Sequence, residues 1–292
     1  MSILVTGATG TIGSQVVQLL AERGADACAF VRNPEKASFP PGVTVAKGDL
    51  MDVDSVRAAL AGSRTLFLLN SVTPDELTQA LIALNLAREA AVERVVYLSV
   101  IHSDRYVDVP HFAGKYAAER MIRETGLPAT ILRPAYFMEN DAGLKDAIAG
   151  AGVYPMPIGG KGLAMVADRD IAEIAARELM RRDRSAGPAP QESIDIVGPD
   201  VLTGVSVAAI WSEALGRAVV YAGDDTGAFE RAVRGHAPGW MAYDMKVMAD
   251  RFHTDGMLPT EGDVERIVAM LGRPLKRYRD FAAEMAERWR AL

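Results

Sequence analysis

The sequence predicts an α/β fold: a doubly wound parallel sheet followed by a smaller, mainly helical C-terminal lobe. Three observations predict it. Short apolar runs alternate with helix-period segments through the first half of the chain. Those runs are continuously apolar rather than alternating, which marks strands covered on both faces. After Pro134 the pattern changes to a series of helical segments.

The elements follow in order. Ile3, Leu4 and Val5 form a short apolar run that ends at Thr6-Gly7. Ile12, Val16, Leu19 and Leu20 then share one helical face, and Gly24 stands just past the end of that helix. Further apolar runs cover 27–31, 43–46, 65–69, 94–100 and 129–132. Between them, Val56 and Leu60 suggest a short helix, and longer helices are predicted over 75–91 and 110–124. The Gly- and Pro-rich stretch 143–162 predicts loops with a short helix, 168–181 a helix, 185–191 a connector and 194–197 a strand. The remaining helices are predicted over 205–215, 229–234, 240–253, 263–271 and 275–289. In the last of these, Leu275, Tyr278, Phe281, Met285 and Trp289 recur at helical spacing and read as a packing stripe.

Composition narrows the class of function. The 292 residues carry a net charge of −6, with 49% hydrophobic and 24% charged residues. That balance is ordinary for a globular protein and argues against nucleic acid as the main partner. The one cysteine, Cys28, cannot form an internal disulfide and reads as a small apolar residue in a strand. No leader-like segment opens the chain, and no apolar run approaches the roughly 20 residues of a membrane helix. The expectation is a cytoplasmic protein with a small-molecule substrate; a homo-oligomer is compatible with the sequence. His102, His111, His236 and His253 show no metal-ligand spacing, so no metal is expected. No Gly-x-Ser-x-Gly nucleophile elbow is present.

The strongest motif is Val5-Thr6-Gly7-Ala8-Thr9-Gly10-Thr11-Ile12-Gly13. Gly7 permits a sharp turn out of the strand, Gly10 lets a pyrophosphate approach the backbone, and Gly13 lets the helix pack closely on the sheet. The helix start offers free N–H groups and a positive dipole to phosphate. Gly7, Thr9, Gly10, Thr11, Ile12 and Gly13 are therefore the phosphate-facing candidates of a Rossmann-type, dinucleotide-binding domain. That domain is expected over 1–136, with 166–197 returning to it. A substrate-binding lobe is expected over 137–165 and 198–292.

The second strand predicts which dinucleotide. An acid at its end would hold a ribose 2′-hydroxyl; here Arg32 stands there, with Lys36 nearby. A guanidinium can pair with a 2′-phosphate, so NADP(H) is the expected cofactor. Asp49 can accept from the adenine amino group with Leu50 against the ring, or Asp49 can cap the next helix. Leu69, Asn70 and Ser71 end the fourth strand, where the middle of the cofactor would lie.

These residues, together with Val31-Arg32-Asn33-Pro34, Gly48-Asp49-Leu50, His111-Phe112-x-x-Lys115, Thr130-Ile131-Leu132-Arg133-Pro134 and Phe137-Met138-Glu139-Asn140, give the chain a resemblance. It resembles the NmrA-like, atypical branch of the short-chain dehydrogenase/reductases. Relatives there include quinone reductases, triphenylmethane reductases and isoflavone reductase-like proteins. The resemblance implies that Pro134, Tyr136 and Phe137 lie near the nicotinamide. It also brings a departure. Typical members carry Tyr-x-x-x-Lys, in which the tyrosine moves a proton and the lysine holds the ribose. Here the tyrosine position holds His111, while Lys115 is kept.

Two readings of His111 follow. It can donate a proton, work suited to an imidazole near neutral pH, or hydride delivery alone suffices and water supplies the proton. His111 and Lys115 are the catalytic candidates, Lys115 also as a cofactor contact. Substrate contacts are expected from His111, Phe137, Met138 and Trp240. The function expected is an NADPH-dependent reductase of a small aromatic, quinone-like or conjugated acceptor. Two alternatives stay open: a non-catalytic NADP(H)-binding redox sensor acting through a protein partner, and a cofactor-retaining isomerase or epimerase.

Overall fold

The structure is a computed structural model, and it describes residues 2–187 and 189–291. Along the chain run β1 (Ser2–Val5), α1 (Thr11–Glu22), β2 (Ala27–Val31), β3 (Thr44–Lys47), α2 (Val53–Leu60), β4 (Ser63–Leu68) and α3 (Glu76–Glu89). They are followed by β5 (Arg94–Leu98), α4 (Pro110–Glu124), β6 (Ala129–Pro134), β7 (Val153–Tyr154), α5 (Asp168–Asp183) and β8 (Glu192–Ile196). The chain finishes with α6 (Gly204–Leu215), β9 (Val220–Tyr221), α7 (Thr226–Val233), α8 (Gly239–Thr254), α9 (Asp263–Leu271) and α10 (Tyr278–Arg290).

Seven strands form one sheet in the order β3-β2-β1-β4-β5-β6-β8. The pairs β1–β2, β1–β4, β2–β3, β4–β5 and β5–β6 are all parallel. The order reverses at β1, so a crevice opens beyond the carboxyl ends of β1 and β4, where doubly wound sheets hold ligands. Every residue of β5 is buried, Arg94 as well as the run from Val95 to Leu98, whereas β3 at the sheet edge is mostly exposed. Leu4, Phe30, Leu66, Leu84, Val95 and Ile131 belong to one apolar core that unites strands and flanking helices.

The chain divides into two compact units. The first comprises 1–103, 113–133 and 171–194; the second comprises 104–112, 134–170 and 195–292. Segment 104–112, expected in the dinucleotide-binding domain, thus groups with the second unit.

In the second unit Trp211 is fully buried, stacked on Trp289 at 4.8 Å and edge-on to Tyr278 and Phe281. The stripe predicted on the last helix is therefore packing. The stretch expected to be loop is more ordered than its Gly and Pro content implies. It holds a 3₁₀ segment (Met138–Leu144), a π-helical turn (Asp146–Ala151) and β7, which pairs in parallel with β9.

Candidate active site

Within the first unit the glycine loop takes the conformation its residues dictate. Gly7 sits at φ +63°, and a Cβ there would meet Leu69 at 2.9 Å. A Cβ on Gly13 would lie 2.1 Å from the Gly7 carbonyl oxygen, so only glycine lets α1 start this close to the loop. The Gly10 N–H donates to the Gly7 carbonyl, and intrahelical bonding begins with Ser14 to Gly10. No side chain caps α1 and no acid occupies its first turn. The amides of Thr11, Ile12 and Gly13 are thus left for an anion. Ile12 can contribute only that amide, because its side chain is buried in the core.

Across the crevice, the Thr6 hydroxyl donates to the Leu69 carbonyl and accepts from the Leu69 amide, each at 2.8 Å. That clasp fixes the ends of β1 and β4 against each other. Asn70 beyond it is buried; its Nδ2 donates to the Glu76 carbonyl at 2.8 Å, but its Oδ1 has no hydrogen-bond partner. An orphaned buried acceptor is costly unless a ligand donates to it. Ser71 next to it is exposed.

Arg32 and Lys36 stand exposed beyond β2, and neither pairs with a carboxylate among the described residues. Asp49 does not cap α2. Asp52 does, accepting from the amides of Asp54 and Ser55, while Asp49 Oδ1 accepts from the Met51 amide at 2.9 Å. Leu50 is half-buried against the core and helps line a small apolar hollow with Leu4, Thr6 and Phe30. These features suit a dinucleotide: anion-seeking amides, a cradle that a Cβ would fill, an orphaned acceptor and two unpaired cations.

Lys115 on α4 is buried, with its Nζ 2.7 Å from Glu76 Oε1 and 3.4 Å from the Leu98 carbonyl. The approach to Glu76 is off-axis, which makes it a charge contact rather than an aligned hydrogen bond. Burial, and then the charges of Glu76 and Glu119, push the Tyr97 phenol beside it well above its ordinary range.

Within the second unit, His111 is gripped from α8. Asp244 is 0% exposed; its Oδ1 accepts from the His111 amide at 2.9 Å, and its Oδ2 lies 2.5 Å from His111 Nδ1. The His111 side chain keeps 10% of its surface exposed. Phe112 meets the imidazole edge-on at 4.6 Å.

Met138 and Tyr136 are both buried. Met138 is 1% exposed and packed in the second unit's interior. The Tyr136 hydroxyl, expected near the nicotinamide, is committed to Asp141 at 3.0 Å. Its burial, followed by the Asp141 charge, pushes its pKa well above the ordinary phenol range. Pro134 is buried, Phe137 half-buried, and Trp240 remains 37% exposed at the start of α8.

The sequence reading missed Asp244, Glu76 and Asp141. Asp244 carries the one legible signal, an acid on the same helical face as Trp240 one turn earlier. Among the described residues no group of His, Cys, Asp or Glu is arranged to hold a metal, and no helix is long and apolar enough to cross a membrane.

Comparison with known proteins shows the family. The sequence model of the NmrA-like family matches residues 1–282. An NAD(P)H azoreductase of Xenophilus azovorans is 30% identical over 96% of each chain. A (4-alkanoyl-5-oxo-2,5-dihydrofuran-3-yl)methyl phosphate reductase of Streptomyces griseus is 29% identical over 98% of each. Among solved structures, triphenylmethane reductase of Citrobacter sp. complexed with NADP(H) superposes with a TM-score of 0.83 at 25% identity. It covers 98% of this chain and 100% of that one.

Proposed function

The chain belongs to the NmrA-like family, and from that premise we propose that it is an NADP(H)-dependent oxidoreductase that reduces a small conjugated acceptor, aromatic or quinone-like. The observation that carries the coenzyme choice is the exposed, unpaired Arg32 at the end of β2, where an acid would favour NAD(H). The acceptor class is supported by the relatives, whose names give an azo group, an acylated dihydrofuranone and triphenylmethanes as what they reduce.

In this reading the amides of Thr11, Ile12 and Gly13 hold the pyrophosphate, with Gly7, Thr9 and Gly10 shaping the loop. Arg32 and Lys36 hold the 2′-phosphate. Asp49 and Leu50 receive the adenine, and Leu69, Asn70 and Ser71 the middle of the molecule, where Asn70 Oδ1 gains the donor it lacks. Lys115 exchanges part of its contact with Glu76 for a ribose hydroxyl. Pro134 and Phe137 face the nicotinamide, while Phe137 and Trp240 present apolar surface to the acceptor. When bound, the coenzyme supplies a hydride; the protein orients the acceptor, excludes water and offers His111 as a proton donor.

The test is Arg32→Asp. Hydrogen bonds to charged groups contribute about 1.5–3 kcal/mol, so the Kd for NADPH should rise about tenfold to a hundredfold while that for NADH changes little. Unchanged discrimination between the two coenzymes refutes the assignment. NADPH consumption across quinones, azo dyes and enones tests the acceptor class.

A further inference from the structure

We propose that Asp244 is a positioning residue that fixes His111 as the proton donor, and that the pair suits the enzyme to neutral acceptors, which take up a proton together with a hydride. The inference rests on the reductase reading above and narrows its substrate class.

The geometry carries the argument. A carboxylate that only capped α4 would need one oxygen on the first-turn amide. Asp244 uses both: Oδ1 takes the His111 amide and Oδ2 takes His111 Nδ1. A carboxylate accepts and does not donate, so the proton shared with Oδ2 belongs to Nδ1, and the nitrogen left for other work is Nε2. Among the described residues Nε2 has no partner, although the ring is nine-tenths covered. Both partners of Asp244 lie on His111, and no lysine or arginine pairs with it among the described residues. Burying a carboxylate this completely without a fixed cation is costly. It is understandable if the carboxylate orients an imidazole and stabilises the charge the ring carries when protonated. Phe112, edge-on to the imidazole and stacked on Tyr106 at 5.5 Å, closes the other side against rotation.

The acceptor gains two electrons and a hydrogen nucleus as hydride from the reduced nicotinamide coenzyme. It gains a proton from the Nε2–H of the imidazolium. That N–H bond breaks, an O–H or N–H bond forms on the acceptor, and the neutral ring keeps its Nδ1 proton on Asp244 until water restores the other. A quinone or azo group becomes an anion on taking hydride and needs this proton. A triphenylmethane carbocation becomes neutral on taking hydride and needs none.

That difference supplies the test. The full chain and its Asp244→Asn and His111→Gln variants are assayed with NADPH against menadione, a neutral quinone, and crystal violet, a cationic dye. Coenzyme affinity is followed by calorimetry. Both variants should lose at least about tenfold more in kcat/KM on menadione than on crystal violet, while NADPH affinity stays within about twofold. Equal losses on both acceptors, or none on menadione, overturn the proposal. Independently of turnover, ¹⁵N NMR should show His111 protonated on Nδ1 in the parent chain and redistributed in Asp244→Asn. A parent spectrum with Nδ1 unprotonated also overturns it, even if the dye is no substrate or one variant fails to fold. A parent chain that consumes no NADPH with any acceptor refutes the reductase reading instead, and the NMR result still judges the pair.

Discussion

Asp141 links the fold of the second unit to pH in a direction opposite to that of most carboxylates. It is fully buried and accepts from the hydroxyls of Tyr278, Tyr136 and Tyr154, the last two at 3.0 and 3.1 Å. Tyr278 in turn accepts from Trp211 Nε1 at 2.9 Å. Burial pushes the carboxyl from 3.8 up to about 6, against the opposing pull of Tyr278, Tyr136 and Tyr154. The folded chain therefore binds this proton more tightly than the unfolded chain. The stability the group contributes is full below the unfolded value near 3.8 and is lost as pH rises through about 6. About two pH units at 1.36 kcal/mol each make this a loss of about 3 kcal/mol between pH 3.5 and 7. Other carboxylates contribute in the opposite sense, Asp75 and Glu93 among them, so the comparison must be with Asp141→Asn. Urea unfolding of both proteins across that range should show the parent chain losing about 3 kcal/mol relative to the variant. Parallel pH curves would show that the three hydroxyls hold the carboxylate charged, and the reasoning from burial would be wrong.

Two further outcomes follow from the first unit. Gly13→Ala places a Cβ 2.1 Å from the Gly7 oxygen, and relieving that clash should cost about 1–3 kcal/mol. It should also move the α1 amides enough to weaken NADPH binding at least about tenfold by calorimetry; unaltered affinity would mean that the phosphates bind elsewhere. Glu76→Gln leaves Lys115 as a buried charge without its counter-ion, which should destabilise the chain by about 3–5 kcal/mol. A loss under about 1 kcal/mol in urea would mean that water or the Leu98 carbonyl already solvates the ammonium.

The fold was legible because its causes are local. The run Val95-Val96-Tyr97-Leu98 reads as a covered central strand, and the predicted spans 110–124 and 263–271 coincide with α4 and α9. The glycine loop was legible for the same reason, since positive φ at Gly7 and the absent Cβ at Gly13 are demands on single residues. β7 and β9 were not legible. Each has two residues, too few for a period to register, and Val153 and Tyr154 pair with Val220 and Tyr221, residues far apart in sequence.

The polar partners were unreadable for a different reason, which bears on what α4 does. His111, Lys115 and Glu119 recur at steps of four on this helix, and sequence spacing shows that they share a face. It does not show that all three are largely buried, or what answers each. Asp244 answers the first and Glu76 the second. Arg133 answers Glu119, with Ser99 and Ser103 donating to the same carboxylate. Arg123, one turn on in α4, also pairs with Glu119 at 2.9 Å, as i, i+4 spacing allows; Asp244, Glu76 and Arg133 come from separate elements, and no local rule could have found them. A helix needing only to cover a sheet would bury leucines here, at lower desolvation cost. Three largely buried ionisable groups in a row, each with a partner from another element and Glu119 also paired with Arg123 of the same helix, are an arrangement that stability alone does not favour. It is explained if this face has to present charge and protons to a bound coenzyme and acceptor. On the proposed reading, the replacement of the usual tyrosine by His111 would change which side chain moves the proton and leave the helix that carries it the same.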